Sequence, residues 1–548
     1  MATLQQRSQR ATRGSNVFSV PAPVEGWNAR DQVDQVKDTE ATELENFFAH
    51  PNSVALRAGQ EVFSTVAPGP VSTIAEFFSQ STRLMVIAAS GCLFSITSAG
   101  VGTLQASGYT QDRHQTVMFK EYLLGVNGSD TPWKFDGSTV AANTFTGSGL
   151  TPANLIGIAV HRERLYLWEL AQPYFWYADT NSIAGALTKF DLARVGMRGG
   201  NLIAVQTWTR DGGNGMDDFV CFFMTSGDCI VYQGGDPSDP ANWNRVGVYQ
   251  FSAPFNRRGV IKYGGDILVL TRDGIMSLNL ALPFAQTRSN IAITDKISGA
   301  FHSAVADYQT IDGWQLVHYP HGPWLLCNVP QVMSSSVAPQ VTPESEQSYQ
   351  FAMNTDTGAW SKFTNMNARC FGMFNDNLYI GGIGGGAAWN DGTWNESPWA
   401  YGAVIQVDSG NNDLVLDQYG NPVAEDITAY LRTKFFSMGA QTLKKRFLMA
   451  RPVVESTGTA PYELAMSVDS NTAQPNYSTP NITQVLGSSW NTATWNVDAW
   501  SGGTAIFRGW QKVTGFGYTG ALNFKVMTQL ESVKLRAIDF MFEPGGLM

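Results

Sequence analysis

A two-stranded unit that recurs along the chain restricts its fold more than any other feature. Each copy has an apolar strand, a tight turn with Gly and often Asp or Ser, and a second apolar strand. The copies lie at residues 84–96, 122–135, 164–178, 219–232, 266–278 and 377–389. They start roughly 40 to 55 residues apart, which is the spacing of propeller blades. Because one such unit cannot bury its apolar face alone, the copies are expected to stack.

The turns and strands of these copies favour the same fold. Ser226-Gly227-Asp228 and Arg272-Asp273-Gly274 place Gly beside Asp, which supplies the positive φ angles of tight hairpin turns. The first strands are rich in Leu, Val, Ile and Phe with little alternation, which indicates that both faces are covered. Residues 314–329 and 347–363 supply strands for one more blade. We therefore predict a mainly β protein in which residues 61–400 form a β-propeller of about seven blades.

Residues 1–60 are expected to form an extended N-terminal arm. Arg7, Arg10 and Arg13 make its first part positive, and no acid precedes Glu25. The segment has no apolar central stretch, so we expect neither a secretory signal nor a membrane anchor. Its best helix candidate is residues 38–48, where Leu44, Phe47 and Phe48 give one apolar face.

The chain after the propeller divides into two parts. Residues 401–425 are polar and rich in turn-forming residues, which predicts a loop or linker. Residues 426–548 contain longer apolar stretches separated by turn-rich segments. This pattern predicts a C-terminal β domain of the sandwich type.

Composition excludes some functions. Charged residues make up 15% of the chain against a usual value of about 25%, and aromatic residues make up 12%. Such a chain is expected to bury much of its surface in cores or permanent interfaces. A net charge of −10 argues against tight phosphate binding by the whole surface. The five cysteines form neither a CxxC pair nor a zinc-type spacing with His, so we expect buried thiols in a protein made in a reducing cytoplasm: Cys92, Cys221, Cys229, Cys327 and Cys370.

The residue types that catalysis or metal binding needs are present, but their spacing assembles no site. Residues 354–360 resemble the Asp-box turn of sialidase propellers, which is structural and remote from the chemistry. His318 and His321 have no third ligand near them in sequence. Asp236 and Asp239 are too few carboxylates for a calcium loop, so residues 234–243 are interpreted as a rigid turn. We therefore expect no catalytic residues, no cofactor and no metal.

Two further motifs are given structural interpretations. The glycine tract at 381–386 lacks the Lys-Ser/Thr that follows a phosphate-binding loop and leads into a strand, so a blade turn is predicted. The basic clusters Lys444-Lys445-Arg446 and Arg257-Arg258 are interpreted as solvated faces or interface pairs. The positive N-terminal arm is a better candidate for contact with a neighbouring protein.

Several stretches resemble a known family as whole phrases. They are EGWNARD at 25–31, ATELENFF at 41–48, GGDPSDPANW at 234–243, NRRG at 256–259, GGDILVLTRDG at 264–274 and NTDTGAWSKF at 354–363. Together they resemble the tail nozzle or tail-tube proteins of short-tailed, podovirus-like bacteriophages. The resemblance covers much of residues 25–390 and is loose beyond them.

The resemblance implies a virion protein and no enzyme. Its expected form is a homo-oligomeric ring, a hexamer in this family, that lies below the portal and adaptor and extends the DNA channel. Duplex DNA would pass transiently, without sequence-specific binding, during retention and ejection of the genome. The alternative is a host-receptor or glycan-binding propeller of the tail, with or without hydrolase activity, which predicts an exposed groove with clustered Trp and Tyr.

Overall fold

The chain folds into two compact units. The computed structural model describes residues 15–211, 216–281, 292–330, 348–382, 402–416, 422–439, 441–458, 462–478 and 504–545. One unit, here called the propeller unit, comprises residues 58–358 and 362–426. The other, called the terminal unit, comprises residues 1–57, 359–361 and 427–548.

The propeller unit contains seven consecutive sheets, which we number as blades 1 to 7. Blade 1 consists of Val71–Phe78, Arg83–Ala89, Cys92–Ile96 and Gly102–Ser107, and blade 2 of Gln115–Phe119, Tyr122–Val126, Trp133–Phe135 and Val140–Ala142. Blade 3 consists of Leu155–His161, Arg164–Glu169, Tyr174–Ala178 and Gly185–Asp191, with Phe145–Thr146 added in parallel. Blade 4 consists of Leu202–Asp211, Met216–Met224, Asp228–Gly234 and Trp243–Gln250. Blade 5 consists of Val260–Tyr263, Asp266–Thr271 and Gly274–Ser277. Blade 6 consists of Gln315–Tyr319, Trp324–Val329, Tyr349–Asn354 and Trp360–Phe363, and the first two residues of this last strand belong to the segment 359–361 of the terminal unit. Blade 7 is Ala368–Phe374, Asn377–Gly382, Ala403–Val407 and Gln60–Ser64, with the hairpin Asp413–Leu416 and Pro422–Glu425 beside it.

These sheets form a closed ring. The first strand of each blade contacts the first strand of the next blade, and the first strand of blade 7 contacts that of blade 1. Among the described residues, six blades have at least four strands and blade 5 has three. The prediction of a β-propeller is therefore confirmed. About seven blades were expected, and the described residues form six blades of at least four strands and one three-stranded sheet.

Blade 7 closes the ring with strands from two distant parts of the chain. Its fourth strand, Gln60–Ser64, pairs antiparallel with Ala403–Val407. The ring of Phe63 lies 4.9 Å from that of Tyr379, so the pairing is supported by aromatic packing. The region 401–425, which was expected to be a linker, thus contains three strands within its described part. The sequence Ala-Val-Ile-Gln-Val at 403–407 suits a strand, but it lies among polar turns, and one of its two partner strands is over 300 residues away.

Aromatic layers between the blades hold the ring together. Between blades 3 and 4, the rings of Phe175 and Phe222 stack at 4.6 Å. In the same cluster the rings of Tyr232 and Trp243 stack at 4.8 Å, and Tyr166 is fully buried. Each sheet covers the apolar face of its neighbour, which explains the non-alternating strands of the sequence.

Helices are short in the described residues. They are the α-helices Leu278–Ala281 and Ser298–Tyr308 and the 3-10 turns Pro152–Asn154, Arg257–Gly259 and Asp295–Ile297. None of the described helices has the length and apolar character needed to cross a membrane. The region 38–48, expected to be a helix, instead forms Ala41–Glu45 and the start of Phe47–His50. Asn46 between them has a φ of 54°, which breaks any helix. The first strand pairs with Ile427–Thr433, and the second forms a hairpin with Ser53–Leu56.

The terminal unit consists of two curled sheets over one core, in agreement with the predicted sandwich-like domain. One sheet contains Asn16–Pro21, Phe47–His50, Ser53–Leu56, Lys445–Ser456, Ala505–Phe507, Gln511–Gly517 and Val533–Pro544. The strands of the other are Ala41–Glu45, Ile427–Thr433, Tyr462–Val468 and Gly520–Thr528. Leu44, Phe47, Phe524 and Phe540 are among the buried residues of the shared core. Residues 16–56, expected to belong to an arm, therefore form four strands of this unit, while Arg7, Arg10 and Arg13 lie outside the described residues.

Candidate functional site

Three arginines meet at one end of the propeller axis, and we call them the axial arginine cluster: Arg113, Arg257 and Arg258. Arg113 lies just before the first strand of blade 2, and the other two lie in the turn that leads into blade 5. The side chain of Asn256 caps this turn by accepting a hydrogen bond from the Arg258 N–H at 2.8 Å. Because every blade begins at the axis and the first strands run in the same direction, these positions share one end of the channel.

Arg258 crosses the axis. Its Nη1 donates to the carbonyl oxygen of Ser72 at 2.9 Å, in blade 1. Its Nη2 donates to Thr73 Oγ1 at 3.0 Å and to the carbonyl oxygen of His114 at 2.7 Å, at the start of blade 2. Blade 5 lies across the ring from blades 1 and 2, so one side chain joins opposite walls of the channel.

Arg257 and Arg113 continue this network. Nη2 of Arg257 donates to the carbonyl oxygen of Arg113 at 2.8 Å. Nη2 of Arg113 donates to the carbonyl oxygen of Trp314 at 3.1 Å, which brings in blade 6. Nε of Arg257 is buried and has no hydrogen-bond acceptor among the described residues.

The cluster carries excess positive charge in a poorly solvated place. Burial, together with repulsion from Arg113, lowers the pKa of Arg258 to about 9 and that of Arg257 to about 10. The ion pair recorded for the cluster is Arg113 Nη1 with Asp312 Oδ1 at 3.9 Å, and the Asp312 side chain is 90% exposed. In the described structure, the positive charge of these arginines is therefore stabilised mainly by hydrogen bonds to carbonyl oxygens.

Sequence reasoning placed Arg257-Arg258 on a solvated face or in an interface, whereas the structure turns both toward the axis. The available signal was the phrase Asn-Arg-Arg-Gly at 256–259, a capped turn before a strand, but a turn does not reveal which way its side chains point. The other basic cluster divides. Lys444 lies between the exposed rings of Phe516 and Tyr518, at 5.5 and 5.4 Å. Lys445 is buried and donates to the carbonyl oxygens of Leu443 and Tyr518.

A second candidate is a cleft of about 470 Å³ on blades 3 and 4, near the opposite ends of their first strands. It is lined by Arg162, Arg164, Thr180, Gln233, Gly234, Gly235, Asp236, Ala241, Asn242 and Asn244. The Arg164 side chain is 7% exposed, and its Nη2 lies 3.2 Å from Asp236 Oδ2. It also donates to Ala178 O at 2.9 Å and Thr180 Oγ1 at 3.0 Å, so this arginine is already satisfied at both Nη atoms.

The turn at 234–243 forms one wall of this cleft. Asp236 Oδ1 accepts from the backbone N–H and the hydroxyl of Ser238, at 3.0 and 2.6 Å. Asp239 Oδ1 accepts from the backbone N–H of Ala241 at 3.0 Å. The two hydrogen bonds from Ser238 and the ion pair with Arg164 lower the pKa of Asp236. Both carboxylates thus order the turn itself.

The remaining sequence motifs lie in structural surroundings. In the Asp-box-like turn, Asn354 Oδ1 accepts from the Asp356 N–H at 2.9 Å. The ring of His318 packs against Tyr263 at 4.9 Å. Gly381 and Gly382 end a strand of blade 7, and the rest of that glycine tract, residues 383–386, lies outside the described residues. All five cysteines are free thiols; Cys92 is half-buried and the other four are buried.

Comparisons with known proteins match the chain in structure alone. No protein-family model matches it, and no curated protein matches it. The computationally designed Ika8 protein superposes with a TM-score of 0.33 at 8% identity, over 63% of this chain and 100% of that one. Raptor of Chaetomium thermophilum has a TM-score of 0.36 at 11% identity, over 64% of this chain and 29% of that one. The BBS1N chain crystallised with ARL6DN has a TM-score of 0.28 at 11% identity, over 41% and 73%. At these values the similarities say nothing about function.

Proposed function

We propose that this chain is a structural subunit of a phage tail, which assembles with copies of itself into a nozzle ring that extends the DNA channel below the portal and adaptor. The observation that carries the proposal is a β-propeller that contains most of the stretches resembling the tail proteins of short-tailed phages. The chain would be made in the host cytoplasm and reside in the virion tail. It would act by shape and charge rather than by catalysis.

The axial arginine cluster supports a particular geometry for this ring. The propeller axis is crossed by the Arg258 side chain, whose hydrogen bonds join opposite blades. Duplex DNA is much wider than a bore that one arginine side chain spans, so it does not fit through the propeller axis. A DNA channel would therefore be enclosed between copies of the chain, with each propeller acting as a solid wedge.

Exposed apolar side chains supply material for contacts between copies. In the propeller unit, Val101 is 63% and Leu104 is 55% exposed, both at the outer edge of blade 1. In the terminal unit, Phe516 is 54% exposed beside Tyr518. Because these side chains are already about half buried, burial of the rest at a permanent interface would contribute about 1 kcal/mol each.

Charge supports passage of DNA without binding. The chain has 46 acidic residues against 36 basic ones. Since DNA carries one negative charge per about 1.7 Å, an acidic lumen would repel it and leave it free to slide.

The glycan-binding alternative has less support. It predicts a groove lined by clustered Trp and Tyr, and the residues that line the cleft on blades 3 and 4 include no aromatic ring. In that cleft, Arg164 forms an ion pair with Asp236, and Asp236 also accepts a hydrogen bond from Ser238 of the turn.

Mass photometry and negative-stain electron microscopy of the purified full-length chain test the proposal. We expect closed rings of identical subunits, with a lumen wide enough for duplex DNA, at micromolar concentration. Because the contacts are proposed to be apolar, the rings should persist when the salt is raised from 0.15 to 1 M. A chain that stays monomeric or trimeric over this range, or a ring with a strongly positive lumen, would contradict the proposal.

A further inference from the structure

We propose that the axial arginine cluster, together with Arg369, is a binding site for a small multivalent oxyanion such as inorganic phosphate. The inference depends on the propeller and not on the proposed role in a phage tail. It assigns a ligand to a place where the fold gathers positive charge that the carboxylates of the described residues do not balance.

The balance of charge at this end of the axis is the first argument. Arg113, Arg257 and Arg258 lie within one hydrogen-bonded network. Arg369, the second residue of the first strand of blade 7, is exposed and close enough to Arg113 for their charges to repel each other. Against these four cations, the described residues contribute one paired carboxylate, that of Asp312, which lies mostly in solvent. Like charges held together at low solvation are stabilised by an added anion.

The hydrogen-bond donors give the second argument. The Arg257 Nε–H is buried without an acceptor among the described residues. The contact of Arg113 Nη1 with Asp312 is 3.9 Å long, which is beyond hydrogen-bond distance. Guanidinium donors of this kind fit the oxygens of phosphate or sulfate, and hydrogen bonds between charged partners are about twice as strong as neutral ones.

The size of the site restricts the ligand. The side chain of Arg258 spans the channel at this level, so a polymer cannot thread through it. The expected ligand is a free anion with several oxygens and at least two negative charges. Chloride, with one charge and no fixed geometry, should compete poorly.

Isothermal titration calorimetry of the full-length protein with inorganic phosphate, at constant ionic strength in chloride, tests the site. We expect saturable binding of one phosphate per chain. Arg369→Gln and Arg257→Gln should each weaken it at least about tenfold, because each removes a charged partner of the anion. Arg369 is exposed, so its variant should fold even if Arg257→Gln does not.

Arg245→Gln is the matched control, because Arg245 is an exposed arginine near the opposite end of the first strands, at the start of the last strand of blade 4. It should bind phosphate as the unaltered protein does. Absence of saturable binding at millimolar phosphate would overturn the proposal, as would an equal loss in Arg245→Gln. A short DNA duplex that competes for the same site would show instead that the anion is a phosphate carried by a polymer, which would also overturn it.

Discussion

At the scale of single residues, this propeller contains buried polar side chains, some of which connect different blades. Arg258 is poorly solvated, and its charge is accepted because carbonyl oxygens from blades 1 and 2 receive its hydrogen bonds. His114 is 2% exposed and its Nδ1 accepts from Trp133 Nε1 at 3.1 Å. His161 is equally buried and contacts Thr207 Oγ1 and Gly234 O, each at 3.1 Å. Such groups rigidify the fold and make it sensitive to their protonation state.

These two histidines predict loss of stability in acid. Burial lowers the pKa of His114 to about 3 and that of His161 to about 4. Both values lie below the unfolded value near 6.5, so protons bind preferentially to the unfolded chain. Stability should be intact above pH 6.5 and fall as the pH drops toward 4, by about 2 kcal/mol per histidine at pH 5.

Urea denaturation at a series of pH values measures this effect. His114→Gln and His161→Gln should each reduce the slope of stability against pH between 6.5 and 5. His302 lies exposed on the helix Ser298–Tyr308, so His302→Gln is the control and should leave the slope unchanged. An unaltered slope in both buried-site variants would contradict the prediction.

At the scale of single elements, two blades use the same device to place a tryptophan on a strand. In blade 2, Gly125 is directly paired with Trp133, and a Cβ at Gly125 would lie 2.2 Å from the indole. In blade 3, Gly157 is paired with Trp168, and its Cβ would lie 2.0 Å from the indole. Each large ring therefore lies flat over a glycine of the neighbouring strand, which lets the adjacent blade approach.

Adding one methyl group at either glycine should displace the indole. We expect Gly125→Ala and Gly157→Ala each to destabilise the propeller by about 1–3 kcal/mol through overpacking, with a change in tryptophan fluorescence. Gly265→Ala is the control, because the nearest atom to its Cβ, Thr209 O, is 4.0 Å away. Its effect should stay within about 0.5 kcal/mol. Equal midpoints of denaturation for all three variants would show that the glycines do not matter.

At the scale of the whole molecule, the ring depends on a strand from the other end of its own sequence. Gln60–Ser64 completes blade 7, so the propeller unit begins before blade 1 and ends after the strand Ala403–Val407. Without Gln60–Ser64, the backbone groups of Ala403–Val407 would form an open edge, and the aromatic packing around Phe63 would be lost.

Two fragments test this closure. Residues 58–426 should fold with one cooperative thermal transition and without aggregation, because the fragment contains every described strand of the ring, including the closing strand Gln60–Ser64. Residues 66–426 lack the closing strand and should melt at a lower temperature and aggregate through the open edge. Differential scanning calorimetry and size-exclusion chromatography compare them, and identical behaviour would contradict the importance of closure.

Much of this architecture is local in origin and can be predicted from the sequence. Apolar strands around turns such as Ser226-Gly227-Asp228 predict hairpins, because tight turns need residues that accept a positive φ angle, as Gly227 does at 89°. Their repetition predicts the propeller, since hairpins of this kind must cover one another. Four of the five cysteines are buried in strands, as the pattern indicated.

Tertiary structure decided what depends on distant partners. Residues 38–48 have the apolar face of a short helix, yet they form strands. Ala41–Glu45 pairs with Ile427–Thr433 near the other end of the chain, and Phe47–His50 pairs with the adjacent Ser53–Leu56, which in turn pairs with Val533–Pro544. The polar region after residue 401 contains a blade strand because Ala403–Val407 pairs on one side with Asn377–Gly382 and on the other with Gln60–Ser64. Arg257 and Arg258 point to the axis because ring closure brings the carbonyl oxygens of blades 1 and 2 within reach. The sequence by itself determined the repeated hairpins, because turn geometry and apolar patterning act over a few residues. Only the tertiary structure decided the pairing of strands across hundreds of residues, and with it the axial arginine cluster, because both depend on closure of the ring.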